Sequence, residues 1–267
     1  MNLHRLIFKG FGNFIYRLLL VQDMTLYIVG IGLGDEKDIT LRGLEIIKKA
    51  DKVYLEVYTS KLVSSGKEEL ERFYGKEIIP ASRDLVEKKA EETILKDAKS
   101  EEVAFLVVGD PFSATTHIDL KIRADELGIK VVVVQNTSIL NAVGIVGLDL
   151  YKYGRVTTIP FDNKDIKSAY SVVKNNLKND MHTLILLDLD PAKDRYMTFN
   201  EGIGYLLSKG MAKNQLVVGC CGIGSDNPVI KAGKAKDLLE KKVKKFPQCL
   251  IVPAKLHFME EEALKKF

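Results

Sequence analysis

Continuous apolar runs of four to six residues recur along the chain and are separated by longer stretches of mixed character. The runs at 26–29, 103–108 and 131–134 are rich in apolar and β-branched residues and predict strands that are buried on both faces. Between them, the spacing of apolar positions and the capping residues predict helices, such as those over 40–50 and 82–99. This alternation of strand and helix predicts an α/β fold with a mostly parallel sheet.

The second half of the chain repeats the alternation after a turn at 135–137. The other predicted strands are 52–58, 156–159, 183–187, 216–221, 229–232 and 249–252, and the other predicted helices are 67–74, 166–177, 198–209 and 234–244. We therefore expect two α/β domains, an N-terminal domain over 24–135 and a C-terminal domain over 136–267. Two such domains leave a cleft between them, which is a favoured place for a small-molecule site.

The first 23 residues do not fit this pattern. They are apolar and basic, and Arg5, Lys9 and Arg17 interrupt the apolar run, which is too short for the roughly 20 residues that span a bilayer. Met24 directly precedes the first predicted strand. We expect residues 1–23 to lie outside the fold as a variable extension or a start-site artefact, and an amphipathic segment at a membrane surface is the alternative.

Composition narrows the class of protein without identifying it. The 267 residues are 46% hydrophobic and 28% charged, so they supply both a large core and a charged surface. The net charge is only +4, and lysines and glutamates are interspersed, which indicates solvated helix faces rather than a nucleic-acid groove or a membrane surface. Three cysteines without a Cys-x-x-Cys spacing argue against a disulfide framework or a zinc site, and we expect no metal.

The segment Gly109-Asp110-Pro111-Phe112-Ser113-Ala114-Thr115-Thr116-His117 is the strongest local signal in the chain. It follows the buried strand at 103–108, and open α/β sheets bind ligands at the carboxyl ends of their strands. Gly109 permits a close approach of the backbone, and Ser113 supplies a hydroxyl near the start of a predicted helix. The segment predicts a ligand-binding edge, and a simple strand-to-helix turn with a good cap is the alternative.

A glycine cluster ends the first strand with the pattern Gly30-x-Gly32-x-Gly34. A dinucleotide fingerprint requires Gly-x-Gly-x-x-Gly, and position 35 is Asp, so the cluster argues against a Rossmann NAD site. Neither a phosphate-binding P-loop nor a Gly-x-Ser-x-Gly nucleophile motif is present in the sequence. What the cluster predicts is a strand end where a ligand meets bare backbone.

Together these segments resemble the tetrapyrrole-methylase superfamily, a non-Rossmann class of S-adenosylmethionine-dependent methyltransferases. The resemblance rests on Tyr27-Ile28-Val29-Gly30-Ile31-Gly32-Leu33-Gly34, Asp38-Ile39-Thr40-Leu41-Arg42-Gly43-Leu44, Ala50-Asp51-Lys52-Val53 and Gly109-Asp110-Pro111. One branch of the superfamily is further indicated by Glu56-Val57-Tyr58-Thr59-Ser60, the extension from Phe112 to His117, and Val252-Pro253-Ala254-Lys255-Leu256-His257. The resemblance covers Met24 to the C-terminus.

The resemblance implies that the methyl donor, S-adenosylmethionine, binds in the cleft between the two domains. The donor-site residues that it implies are Leu33, Asp110, Ser113, Ser138, Ile139, Leu187, Cys221 and His257. No catalytic base is implied, because a sulfonium methyl group is already activated and the reaction needs mainly alignment. His117 is a weak candidate for a base, since it lies on the segment next to the donor.

The branch also implies the acceptor. It methylates repeatedly the amino group of an aminocarboxypropyl-histidine on translation elongation factor 2, in the cytoplasm, and its members are homodimers. Three alternatives stay open at this point. They are a methyltransferase acting on a corrin or porphyrin ring, a ribosomal-RNA methyltransferase of the same fold, and a donor-binding protein without catalysis. Concentrated basic charge would favour the RNA enzyme, and the sequence does not have it.

Overall fold

Two five-stranded sheets organise the structure, a computed structural model that describes residues 24–267. The strands are β1 (Thr25–Gly30), β2 (Lys52–Glu56), β3 (Ile79–Ala81), β4 (Val103–Val107), β5 (Lys130–Val134), β6 (Thr157–Ile159), β7 (Thr183–Leu187), β8 (Leu189–Asp190), β9 (Arg195–Tyr196), β10 (Leu216–Cys221), β11 (Val229–Lys234) and β12 (Gln248–Val252). The α-helices are α1 (Leu41–Lys49), α2 (Lys67–Tyr74), α3 (Arg83–Lys88), α4 (Ile94–Asp97), α5 (Ile118–Glu126), α6 (Ile139–Ala142), α7 (Ser168–Lys178), α8 (Phe199–Ser208), α9 (Ala235–Leu238) and α10 (Phe258–Leu264). Short 3-10 segments lie at Glu36–Asp38, Ala90–Glu92, Val143–Val146, Leu150–Lys152 and Pro191–Lys193.

The first sheet has the strand order β3-β2-β4-β1-β5, and every neighbouring pair is parallel. All five residues of β4 are buried, because successive side chains enter different layers of the core. Phe105 packs into the cluster on one face of the sheet and Leu106 into the cluster on the other. This confirms the parallel α/β sheet and the doubly buried central strand that the sequence predicts for this half.

The second sheet has the order β11-β10-β12-β7-β6 and is mixed. Only the β6–β7 pair is parallel, and the other three pairs are antiparallel. The apolar runs located these strands but carried no information on their directions. The short connection from β10 to β11 explains one antiparallel pair, since a parallel return needs a crossover of a dozen or more residues.

Two predicted helices are shorter than the sequence pattern suggests. The stretch 82–99 is divided into α3, a 3-10 turn and α4, because Lys89 and Thr93 leave the helical region. The break lets the consecutive residues Ile94 and Leu95 both become fully buried. The predicted helix 234–244 is only α9, since the lysine-rich segment that follows it offers little apolar surface to bury.

Residues 24–267 contain no helix with the length and apolar character that a membrane span requires. Within the same residues, no group of three or more His, Cys, Asp or Glu side chains is arranged to hold a metal ion. The predictions for residues 1–23 lie outside the described part of the chain.

Candidate functional site

A cavity lies where the carboxyl end of β4 meets the second half of the chain. Its volume is about 820 Å³ when the part open to solvent is included. Its lining residues are Leu33, Thr59, Ser60, Lys61, Val108, Gly109, Asp110, Ser113, Ala114, Thr115, Ser138, Ile139, Leu186, Leu187, Leu189, Cys220, Ile223, Pro247, Gln248 and Cys249. Mostly apolar walls with a few convergent polar groups are typical of a site for an organic ligand.

The glycines at the strand ends allow two backbone segments to touch beside the cavity. The N–H of Gly109 donates to the carbonyl of Gly32 at 2.7 Å, and the N–H of Gly32 donates back to Gly109 at 3.3 Å. Both residues have a positive φ, +78° for Gly32 and +82° for Gly109. A Cβ atom at Gly30 would lie only 2.6 Å from the carbonyl oxygen of Gly109. Side chains are therefore excluded here by the close packing of backbone.

Asp110 organises the turn that leaves β4. Its Oδ1 accepts hydrogen bonds from the N–H of Phe112 at 3.1 Å, from the N–H of Ser113 at 3.1 Å and from the hydroxyl of Ser113 at 3.0 Å. Its Oδ2 accepts one hydrogen bond, from the N–H of Asn136 at 3.3 Å. Since a carboxylate oxygen accepts more than one bond, Oδ2 retains capacity for a ligand hydroxyl or ammonium group.

The side chains of Asp38 and Asn136 hold the glycine cluster at 30–34 in place through hydrogen bonds to the backbone. Oδ2 of Asp38 accepts from the N–H of Leu33 at 3.1 Å and from the N–H of Gly34 at 2.7 Å. The side-chain amide of Asn136 donates to the carbonyls of Gly30 and of Asp38, both at 3.0 Å. The sequence indicates Asp38 only as part of the motif at 38–44, and the structure shows that its carboxylate holds the backbone at Leu33 and Gly34.

Glu56, at the end of β2, shapes the loop that carries Thr59 and Lys61. Its carboxylate is 1% exposed and accepts the N–H groups of Tyr58 and Thr59, both at 2.5 Å, and also the Thr59 hydroxyl. Burial raises the pKa of the Glu56 carboxyl, and these hydrogen bonds act in the opposite direction. The loop is thus held by a buried group that does not itself line the cavity.

Six of the eight predicted donor-site residues line this cavity. They are Leu33, Asp110, Ser113, Ser138, Ile139 and Leu187. Cys221 does not line it, because side chains alternate along β10 and its neighbour Cys220 faces the cavity instead. His257 is exposed and begins α10, where its Nδ1 accepts the N–H of Met259 at 3.4 Å. Neither residue contributes to the wall in this structure.

His117, the last residue of the 109–117 segment, does not line the cavity. Its Nδ1 is 3.3 Å from the carbonyl oxygen of Pro111, and its Nε2 is 3.4 Å from the hydroxyl of Tyr58. Because a carbonyl only accepts, Nδ1 carries the proton and Nε2 is left to accept from Tyr58. Burial lowers the pKa of this imidazole, against the opposing effect of the Pro111 hydrogen bond. Its role as a base stays a prediction.

The floor of the cavity comes from the second sheet and was missed from the sequence. Cys220 on β10 is directly opposite Cys249 on β12. The contact with Cys249 and burial together raise the pKa of the Cys220 thiol, so Cys220 presents a neutral thiol to the cavity. Gln248 also lines the cavity, and its Oε1 accepts a hydrogen bond from the N–H of Phe199 at 2.8 Å. No local motif marks these residues, because only the strand register brings them to the site.

Comparisons of the sequence and of the structure with known proteins point to the same family. The family model of tetrapyrrole (corrin/porphyrin) methylases matches residues 25–239. A diphthine methyl ester synthase of Dictyostelium discoideum is 43% identical, over 91% of this chain and 98% of that protein. A diphthine synthase of Methanococcus maripaludis is 41% identical, over 90% and 97%. A crystal structure of diphthine synthase superposes with a TM-score of 0.85 at 36% identity and covers 91% of this chain and 95% of that one.

Proposed function

The chain belongs to the tetrapyrrole (corrin/porphyrin) methylase family, and from that premise we propose that it makes diphthine on translation elongation factor 2. The protein is an S-adenosylmethionine-dependent methyltransferase. Its acceptor is the amino group of an aminocarboxypropyl-histidine, which it methylates repeatedly. Relatives of this chain that are named diphthine synthase or diphthine methyl ester synthase align over nearly their whole length, and this observation carries the proposal.

The cavity at the end of β4 has the chemistry that S-adenosylmethionine requires. Apolar side chains such as Leu33, Ile139 and Leu187 offer surface for an adenine ring. The unused capacity of Asp110 Oδ2 and the hydroxyl of Ser138 suit the polar groups of ribose and of the methionine portion. We infer that these residues, with Ser113, hold the donor. Cys221 and His257 do not line the cavity in this structure, and their contact with the donor stays a prediction.

The bound donor supplies a methyl group on a sulfonium centre that needs no further activation. The protein has two tasks, which are to align the acceptor amine and to keep that amine neutral so that it attacks. The turn at Asp110 and the loop at Thr59 are each held by hydrogen bonds from backbone N–H groups to a carboxylate, and both line the cavity. Such a pair of fixed walls is suited to alignment, and no side-chain nucleophile is required.

We propose a homodimer in the cytoplasm, where elongation factor 2 works. Large apolar side chains remain exposed on one region of the second half: Tyr151 is 97% exposed, Phe258 65% and Met259 60%. The segments that carry them are joined by the N–H of Asp149, which donates to Glu260 at 2.9 Å. Exposed apolar groups of this kind suit a contact between two copies. Light scattering tests it, and Tyr151→Asp combined with Phe258→Asp should give a monomer if this region is the contact.

The proposed activity is tested with elongation factor 2 that carries the unmethylated aminocarboxypropyl-histidine. Incubation with labelled S-adenosylmethionine should add methyl groups to that residue alone, and the mass of the modified peptide distinguishes an amine with three methyl groups from a product that is also a methyl ester. A protein that binds the donor and leaves this acceptor unchanged would overturn the proposal. Parallel reactions with a corrin or porphyrin ring and with ribosomal RNA cover the alternatives within the family.

A further inference from the structure

Lys61 is the single cationic side chain among the residues that line the cavity. The single anionic one, Asp110, already accepts four hydrogen bonds from the chain itself. Within residues 24–267, the Lys61 ammonium makes no ion pair and instead lies 4.5 Å from the centroid of the Tyr196 ring. Among the described residues, the Lys61 ammonium thus has no carboxylate partner, which favours a ligand that brings an anionic group to this part of the cavity.

The position of this charge is fixed by the loop around it. Before Lys61, the buried carboxylate of Glu56 accepts two backbone N–H groups, at Tyr58 and Thr59. After it, the N–H of Val63 donates to the carbonyl of Leu33 at 3.0 Å, and the next residue donates to Gly34 at 2.9 Å. The loop is thus tied at both ends, to β2 and to the glycine cluster. A cation on such a loop is held in place before a ligand arrives.

We propose that Lys61 binds the carboxylate of the acceptor's aminocarboxypropyl arm, an inference that rests on the proposed function. That arm carries its carboxylate and its amino group on the same carbon, so a fixed carboxylate also fixes the direction of the amine. A neighbouring ammonium group disfavours protonation of that amine, and the neutral amine is the form that attacks. Lys61 then both selects an amino-acid-like acceptor and prepares it for reaction.

The donor has a carboxylate as well, on its methionine portion, and the location of Lys61 favours the acceptor. Tyr196, which supports the ammonium, belongs to the two-stranded β8–β9 ladder and pairs there with Leu189. This ladder is separate from both five-stranded sheets. Leu189 of the ladder also lines the cavity, so Lys61 lies on the side of the cavity next to the ladder, and we assign this side to the acceptor and the strand ends at Gly109 and Asp110 to the donor.

The test compares Lys61→Met and Lys61→Arg with the wild type and with Lys174→Met, a matched change at an exposed lysine of α7. Calorimetry gives the dissociation constant of S-adenosylmethionine, and mass spectrometry gives kcat and KM for the unmethylated elongation factor 2. For Lys61→Met we expect unchanged donor affinity and an acceptor KM raised about tenfold or more, as for loss of a charged hydrogen bond. The pH profile of kcat/KM should also move to higher pH, and Lys61→Arg should recover part of the loss.

Unchanged acceptor KM in Lys61→Met would overturn the inference. A weaker donor affinity with normal acceptor KM would overturn it as well, and would assign the ammonium to the donor's carboxylate. Retained donor affinity shows that the variant is folded. Failure of the proposed function would be seen in the wild type, which would then bind the donor and leave elongation factor 2 unmodified, so the two failures are distinct.

Discussion

The carboxylate of Asp110 and the backbone N–H of Asn136 are joined by a hydrogen bond of 3.3 Å. This bond connects the turn after β4 to the segment through which the chain enters its second half. The other oxygen of Asp110 holds the N–H groups of Phe112 and Ser113. One side chain therefore accepts from three backbone N–H groups in two segments beside the cavity, and the proposed donor would lie against it.

Replacing Asp110 with Ala should weaken the binding of S-adenosylmethionine at least about tenfold and leave a folded protein. The lost acceptor also leaves backbone N–H groups unpaired, so we expect the free energy of unfolding to fall by about 1–3 kcal/mol. Calorimetry and urea unfolding measure the two effects. Asp165→Ala, at an exposed aspartate before α7, is the control. Unchanged donor affinity in the Asp110 variant would remove this residue from the donor site.

The local sequence indicated the strand ends and glycine turns beside the cavity, because adjacent residues encode them, and their role in holding the donor stays a prediction. The floor of the cavity was less predictable. Whether Cys220 or Cys221 faces the ligand depends on the register of β10 in its sheet, and a shift of one residue exchanges the faces. His257 begins α10, a helix that the apolar pattern did not predict, and its predicted contact with the donor stays a prediction. Long-range pairing decides both cases.

Gly34 marks a second contact between the two halves of the chain. A Cβ atom at this position would lie 2.3 Å from the carbonyl oxygen of Gly224, a backbone atom that cannot move aside easily. Gly34→Ala should therefore displace the loop that carries Leu33 and weaken donor binding about tenfold. Gly204→Ala in α8 is the matched control, since nothing lies within 4 Å of its added Cβ.

That control should behave in the opposite way. We expect Gly204→Ala to keep normal donor affinity and to stabilise the protein by about 0.5–1 kcal/mol, because alanine is the better residue within a helix. Thermal unfolding and calorimetry on both variants provide the measurement. Equal donor affinity in Gly34→Ala and the wild type would show that the loop tolerates the added methyl group, against this expectation.

Removal of residues 1–23 should leave the enzyme active. The first strand begins at Thr25, and the family match begins at the same residue. A protein that starts at Met24 is expected to show the same donor affinity, the same kcat and the same melting temperature as the full chain. Loss of cooperative unfolding in the shortened protein would show that the first 23 residues are part of the fold.

His182 and Glu260 form a buried pair that supports the second half of the chain. Nε2 of His182 lies 2.9 Å from Oε1 of Glu260, and its Nδ1 accepts the N–H of Ala254 at 3.0 Å. Since Nδ1 accepts a hydrogen bond, Nε2 carries a ring proton and donates to the carboxylate. Burial acts to raise the pKa of Glu260, but the N–H groups of Asp149 and His257 and the imidazole outweigh it and lower the pKa.

Glu260→Ala should destabilise the protein by about 3 kcal/mol, since it leaves several buried donors without an acceptor. Because the folded-state pKa of Glu260 is depressed, its contribution is present above the carboxyl's ordinary pKa of 4.5 and is lost as the pH falls through the folded value. The stability difference between the wild type and the variant should thus shrink in acid. A difference that stays constant from pH 7 to below pH 4 would contradict this assignment.

His117 gives a second pH-dependent prediction, which applies at a higher pH than that for Glu260. Its pKa is lowered by burial, so below about pH 6.5 the unfolded chain binds a proton that the folded protein does not. The free energy of unfolding should therefore fall as the pH drops below 6.5, by up to about 1.4 kcal/mol per pH unit, until the folded-state pKa is passed. His117→Gln should remove this part of the pH dependence, as urea unfolding between pH 5 and 8 will show.

The same variant decides between the two roles of His117. Both ring nitrogens are directed at protein groups, Pro111 and Tyr58, and the ring does not line the cavity. We therefore expect His117→Gln to keep kcat within a few-fold of the wild type at pH 8, a range typical of a residue that supports a loop. General-base catalysis contributes about 100-fold or more to a rate. A loss of that size with unchanged donor affinity and unchanged melting temperature would make His117 the base and would mean that the 109–117 segment rearranges when the acceptor binds.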